Sequence, residues 1–566
     1  MEEKKEQSKV KNLVKKEINI NVNFTIVAII FIAIFCICIT PVTFQNDTFY
    51  TIKIGEYIKN NGIDMMDHFS WHENLSYTYP HWLYDLCTYL VYALGGFRGI
   101  YILTCILSVV LGLSLFFVNV KLTKCKPMSF VVTMAVLYVL KDYIAARAQL
   151  VTFILFIWEI YFIEKFVENR KIGYGIGLII ISILIANLHV AVWPFFFILF
   201  LPYIGEYLIA IVADFIIYKK ARIFVLNRKI KNANKKNISS EKIDKLKAEL
   251  NDLENEVSKI KIKREKQSED PYKIIIKRKP NVKFLIIIMI ICALTGLLTP
   301  IGDVPYTYLY KTMQGNTTQN ISEHLPMTLI NSVNAMLALI ILLAILIFTK
   351  TKIRLSDLFM IGGLCYLMLS TRRQLSMFAL IGSVILTRLI VDLIKRYTKN
   401  GLEEVEFAFK NIFVTFALIV LMIFTAYHYI KPKIGAEYVN SSSYPVAACD
   451  YILENIDLKN ARFYNEYNYG SYMLFRGIPV FIDSRADLYA PEFSGNKDED
   501  IFTDFINTSG ISKFYEDTFE KYNITHVIMY KKSKMNLIIT KTKDKNYKEL
   551  YSDDNFVIYE RLNVNE

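Results

Sequence analysis

Along this chain the apolar positions neither alternate with polar ones at a period of two nor recur on one face at a helical period. They fill unbroken runs. FTIVAIIFIAIFCICIT (24–40) and FLIIIMIICALTGLLTP (284–300) contain no charged residue. As helices, runs near this length cross a hydrocarbon core of about 30 Å. About eleven spans are predicted, at 24–41, 100–119, 128–141, 148–165, 173–188, 190–217, 284–301, 329–349, 355–371, 374–393 and 410–430. The fold class is an α-helical polytopic membrane protein. WLYDLCTYLVYALGG (82–96) reads as an interfacial amphipathic helix, because a span there would put the basic KLTKCK (121–126) on the outer side.

Two stretches depart from this pattern. In the first, Ile243, Leu246, Leu250, Leu253, Val257 and Ile260 step by three and four, an a/d seam with charged residues between. A seam this short needs a partner, either the helix before it or a coiled-coil seam from a second chain through 243–260. The second stretch begins near 431, where the chain turns polar and Tyr-rich. SSSYPVAACDYILENI (441–456) has a serine before an apolar-periodic run and Pro445 near the helix start. Short strands are predicted at 461–464, 479–483, 525–530 and 555–561 with helical stretches between, which implies a small α/β domain. The expected organisation is an N-terminal tail (1–23), a first membrane group (24–217) with an outer loop at 42–99, and a basic helical insert (218–283). A second membrane group (284–430) and an outer α/β domain (431–566) follow.

The formal charge of +13 would suggest a nucleic-acid partner if it were spread over the chain. It is not: residues 219–279 hold 20 Lys/Arg against 9 Asp/Glu, and positive-inside bias accounts for the excess without nucleic acid. The connections KLTKCK (121–126), EKFVENRK (164–171), KTKIR (350–354) and KRYTKN (395–400) are basic as well. Their parity puts the N-terminus in the cytoplasm and the region from 431 outside. The eight cysteines lie mostly in apolar segments and form no CxxC pair, so neither a disulfide framework nor a thiolate metal site is indicated.

Ionisable residues at membrane depth are costly and mark functional cavities. Here they collect in the connections predicted to be outside. Asp47 follows the first span. Asp67, His68 and His81 lie in the first outer loop, and Arg147 and Gln149 between the third and fourth spans. Asn187 and His189 end the fifth span, Glu323 and His324 lie in ISEHLP, and Arg372 and Arg373 in STRRQ. The three arginines run against the positive-inside bias. They suit either an anion, which a guanidinium grips in a bidentate fork, or outer-leaflet headgroups. Asn187 and His189 suit either substrate or interhelical bonds. Asp47 is placed to act as a general base, or to cap the helix that follows. Asp67, His68, His72 and His81 offer ligand types for a divalent cation but show no recognised zinc spacing. Asp483, Arg485 and Asp487 in IDSRADLY suit either an acceptor glycan or an internal salt bridge.

These motifs, in this order, resemble the GT-C class of polytopic glycosyltransferases, and more closely a poorly characterised bacterial branch of it. The residues that carry the resemblance are DTFY (47–50), GEYI (55–58), DHFS (67–70), HWL (81–83), ARAQL (145–149), NLH (187–189), SEHLP (322–326) and TRRQ (371–374). YNEYNYGSYMLFRGIPVFIDSRADLY (464–489) extends it into the outer domain, and the basic insert lies outside it. The resemblance implies inverting transfer of a sugar from a polyprenyl-phosphate donor to an envelope glycan, lipid or protein acceptor at the outer face of the cell membrane. The acid in the first loop would then be the base. Two positions depart from the family. Thr48 follows Asp47 where relatives carry an acidic pair, and His81 stands where this branch often has glutamate, so Asp67 is a second candidate base. A non-catalytic envelope-assembly protein with a glycan-binding outer domain is the alternative.

Overall fold

The computed structural model describes residues 23–212, 215–235, 240–265, 273–315, 317–496 and 499–562. The tail 1–22, and with it the predicted cytoplasmic flank, lies outside the described residues.

Each predicted span contains a helix. Among the described residues four helices are long and apolar enough to cross a membrane: Trp82–Thr123, Val190–Val212, Arg372–Tyr397 and Ile412–Lys433. Shorter apolar helices run over Phe24–Ile39, Ile172–Leu188, Val282–Leu297, Val333–Phe348 and Leu355–Ser370. Local chemistry sets several of the starts. The Asn23 side chain caps Phe24–Ile39 by accepting from Thr25 N, and Asn411 caps Ile412–Ile430 in the same way. Pro127 sits in the first turn of Lys126–Leu140, where its missing N–H costs nothing. The segment 82–96 is helical and runs into the next predicted span as one helix, Trp82–Thr123. The backbone breaks at Gly96 (φ 56°, ψ −152°), a conformation open to glycine, so the two arms remain distinct.

The insert forms two helices, Phe215–Lys235 and Ser240–Glu265, which pair with each other. The a/d seam closes inward: Val257 is buried and Ile243, Leu246, Leu250, Leu253 and Ile260 are half-buried. Arg222 donates to Glu249 at 2.6 Å, and Lys219 pairs with Glu256, which fixes an antiparallel hairpin. The seam's partner is thus the preceding helix.

At the C-terminus a four-stranded sheet is ordered Phe463–Tyr464, His526–Tyr530, Phe556–Arg561, Tyr547–Ser552. The first pair is parallel and the others antiparallel. Tyr547–Ser552 was not among the predicted strands. Conversely, 479–483 is not a strand of this sheet. Val480 instead bridges to Ser70 in the first outer loop, and its N–H donates to Phe69 O at 3.4 Å.

Buried apolar residues form two cores. One runs through the helices from Phe24 to Leu389. The other combines Phe44, Phe49, Tyr77 and Tyr79 of the first outer segment with residues 444–559. The C-terminal sheet therefore shares its core with the loop near the start of the chain. Two glycines permit this packing. A Cβ at Gly55 would meet the Asp85 carbonyl oxygen at 2.1 Å, and one at Gly470 would meet the Ile482 carbonyl oxygen at 2.0 Å.

Candidate active site

Where the helical core meets the second core, a cavity of about 970 Å³ opens among five of the connections expected to lie outside. Asp47 reaches it from the first turn of Asn46–Asn61, and Arg147 from the residue before Ala148–Asn169. Arg147 Nη2 lies 2.9 Å from Asp47 Oδ2, and its Nη1 lies 3.6 Å from Glu323 Oε1. One guanidinium thus bridges two carboxylates from different loops. Arg373 lines the same cavity and, among the described residues, its guanidinium makes no hydrogen bond or ion pair. Asp47, Arg147 and Arg373 all act on His81. Burial pushes its imidazole down to about 4, Asp47 pulls it up, and the two arginines push it down further. His81 is therefore neutral at pH 7 and can offer one N–H and one lone pair. His189 lies beside it, with ring centroids 4.9 Å apart.

The walls carry further unpaired polar atoms. Arg147 Nε, Asn46 Oδ1, Tyr77 Oη and Gln374 Oε1 are buried with no hydrogen-bond partner among the described residues. Buried polar atoms are normally satisfied, so these four leave the cavity with bonding capacity for a polar ligand. A second space of about 260 Å³ adjoins the first and shares Arg147, Gln149, Glu323 and Arg373 with it; Arg372 lines only this smaller space.

No family model matches the sequence, and no curated protein matches it. Among solved structures, the chain is similar to the Archaeoglobus fulgidus oligosaccharyltransferase. The apo form aligns over 90% of this chain and 69% of that one, at 11% identity and a TM-score of 0.52. The form tethered with an acceptor peptide containing the NVT sequon aligns over 94% and 73%, at 11% identity and a TM-score of 0.49. The fold is oligosaccharyltransferase-like.

On this oligosaccharyltransferase-like frame the expected residues separate. Asp47, His81, Arg147, Gln149, His189, Glu323, His324 and Arg373 line the main cavity, with Arg485 and Asp487 at its outer wall. Asp67 does not reach it. Its carboxylate is fully buried, paired with Arg485 Nη1 at 2.6 Å, and accepts from Ser70 N at 2.9 Å and Ser70 Oγ at 2.6 Å. Burial raises its pKa, but Arg485 and the Ser70 donors outweigh that and leave it below the usual carboxylate range. The expected second base is thus engaged by Arg485 and Ser70 and is not among the residues that line the cavity. His68 also lies elsewhere, 2.6 Å from Asp64 and stacked on Tyr57. Asn187 is an interhelical link, accepting from Trp82 Nε1 at 3.1 Å and donating to Leu298 O at 3.1 Å.

In the outer domain, Asp483 and Arg485 form a buried pair at 2.7 Å, and Tyr489 donates to Asp483 at 2.6 Å. This is the internal salt bridge, and through Asp67 it clamps the outer domain to the first loop. Asp487 accepts from Tyr308 and, at 3.2 Å, from Thr317. Tyr308 and Thr317 do not stand out in the sequence because they carry no formal charge; the run YTYLY (306–310) is the signal that marks their connection.

The donor set does not fit a divalent cation. Among the described residues no three His, Cys, Asp or Glu side chains converge. The carboxylates of Asp47 and Glu323 already face the Arg147 guanidinium between them. His72, one of the residues with ligand potential, is bonded to the Phe481 carbonyl at 2.9 Å.

Proposed function

We propose that this protein is a GT-C-type membrane glycosyltransferase that moves a sugar from a polyprenyl-phosphate donor to an envelope acceptor at the outer membrane face. One observation carries the reading: a single polar cavity holds an oriented carboxylate, Asp47, and an unpaired guanidinium, Arg373. In the reaction the acceptor's O–H or N–H proton passes to Asp47. The freed electron pair bonds to the anomeric carbon on the face opposite the phosphate, and the bond from that carbon to the phosphate oxygen breaks. Arg373 takes up the charge gained by the departing phosphate through a bidentate fork. Arg147 is a positioning residue that holds Asp47, with Glu323 behind it on the loop 315–328.

Transfer from polyprenyl-phosphate sugars in membranes, native against Asp47→Asn, tests this. The expected loss is about 10³-fold, the scale of a missing general base. Equal turnover in both removes Asp47 from the mechanism. Absence of turnover with every donor supplied favours the alternative, a non-catalytic envelope-assembly protein whose C-terminal domain binds glycan.

A further inference from the structure

The hairpin 215–265 lies outside the cavity and outside the motifs that resemble a known family. Its first helix, Phe215–Lys235, contains seven Lys/Arg and no Asp/Glu, whereas its partner Ser240–Glu265 carries both signs. Two of the seven are neutralised across the hairpin, Lys219 by Glu256 and Arg222 by Glu249. Lys220, Arg228, Lys229 and Lys231 are exposed and have no acidic partner among the described residues.

The first helix has two apolar strips. Ile223, Leu226, Ile230 and Ala233 form the first; Leu226 and Ala233 are buried, and the strip turns to the partner helix. Tyr218, Ala221, Phe224 and Val225 form the second, on the side away from it. Among the described residues nothing covers this strip: Tyr218 and Phe224 are each 68% exposed and Val225 48%. At about 100° per residue, Lys220 and Lys231 fall on one flank of the strip, Arg222 and Lys229 on the other, and Arg228 within it. An exposed apolar strip bordered by cations on both sides is the composition of a helix that lies in a bilayer interface.

The neighbouring element supplies the surface. Only residues 213 and 214 separate this helix from Val190–Val212, which is apolar enough to cross a membrane. That helix exposes Leu201, Leu208 and Val212, and the strip beginning at Tyr218 resumes the same apolar exposure six residues on. We propose that the uncovered face of Phe215–Lys235 docks on anionic phospholipid of the membrane in which the apolar helices sit. Tyr218, Phe224 and Val225 enter the boundary between headgroups and acyl chains, while Lys220, Arg228 and Lys231 meet lipid phosphates.

The full-length chain in lipid nanodiscs tests this, with Phe224→Trp as the probe and the signal of the four native tryptophans subtracted. Discs are made with phosphatidylcholine alone or with added phosphatidylglycerol, each with and without brominated acyl chains. Bromine should quench the added tryptophan about fivefold more in the anionic discs. Lys220→Gln, Arg228→Gln and Lys231→Gln together should abolish the difference. Tyr218→Trp, one and a half turns earlier on the same strip, repeats the measurement should position 224 not tolerate the change. Equal weak quenching in both disc types at both probe positions overturns the proposal. So does shielding of the probe from iodide only when a soluble protein fraction is added, which would mean that the strip binds protein.

Discussion

Two arginine–carboxylate networks lie toward opposite ends of the helix Ala148–Asn169, and they are built to opposite rules. Arg147, just before the helix, faces Asp47 and Glu323 beside the cavity, with its Nε unpaired and Arg373 uncommitted nearby. Seventeen residues on, about 25 Å along the axis, Glu164 closes a ring with Arg354, Asp357 and Arg388. Arg354 donates to Glu164 at 2.5 and 2.9 Å and to Asp357 at 2.6 and 2.8 Å. Arg388 donates twice to Asp357 at 2.7 Å, and Tyr203 donates to Glu164 at 2.8 Å. Both networks use the same residue types. The closed ring has almost no bonding capacity left and fastens helices together, while the open one retains capacity for a ligand. Residue type alone does not separate a brace from a site; the unpaired donors and acceptors do.

The comparison breaks most sharply if the two networks respond alike to loss of one member. Asp47→Asn should abolish nearly all transfer while the thermal midpoint in detergent stays within a few degrees, since its side chain is partly exposed at the cavity wall. Arg388→Met should do the reverse. It leaves two carboxylates among packed helices with one guanidinium fewer, a loss of about 3–5 kcal/mol on the scale of broken buried pairs, read as a lowered midpoint. A normal midpoint for Arg388→Met would put the ring on the same footing as the cavity group.

Arg373→Lys probes the open network more gently. A point charge replaces a planar fork, so donor KM should rise about tenfold with an unchanged midpoint. An unchanged KM would remove Arg373 from the donor site. The smallest effect belongs to a half-buried carboxyl with no arginine beside it. Burial raises Glu466 from its ordinary 4.5 to about 7, opposed by a backbone hydrogen bond. The folded state then binds the proton more tightly than the unfolded chain. Its contribution is therefore complete below pH 4.5 and is lost as pH rises through 7. Glu466→Gln should flatten that part of the stability–pH curve by about 1–2 kcal/mol, whereas a slope equal to the native one would mean that the carboxyl titrates normally.

The helical bundle was legible because apolar runs declare themselves without reference to any distant residue. Most of the polar wall was legible for a related reason: charges such as Asp47, Arg147 and Arg373 are out of place in the outer connections of such a chain. What could not be read was pairing across long separations. DHFS looked like cavity chemistry, yet Asp67 is held by Arg485, 418 residues away. Arg354 in KTKIR and Glu164 in EKFVENRK read only as parts of basic connections, and the fold alone joins them, with Asp357 and Arg388, into one ring. PVFID had the alternation of a strand but docks on the first loop through Val480, while Tyr547–Ser552, YKELYS, lacks the apolar alternation that identifies a strand. The tyrosines of the cavity escaped because they carry no charge at neutral pH.

The shared outer core also constrains the order in which the molecule can be made. Trp71 Nε1 donates to the Phe463 carbonyl at 2.9 Å, and His72 bonds to the Phe481 carbonyl, 409 residues further along. A ribosome completes the first loop long before those partners exist. The loop must therefore wait, with Phe49, Tyr77 and Trp71 still uncovered, until the last quarter of the polypeptide has been made. A chain interrupted before that point would present an unfinished aromatic surface to the cell's quality-control machinery.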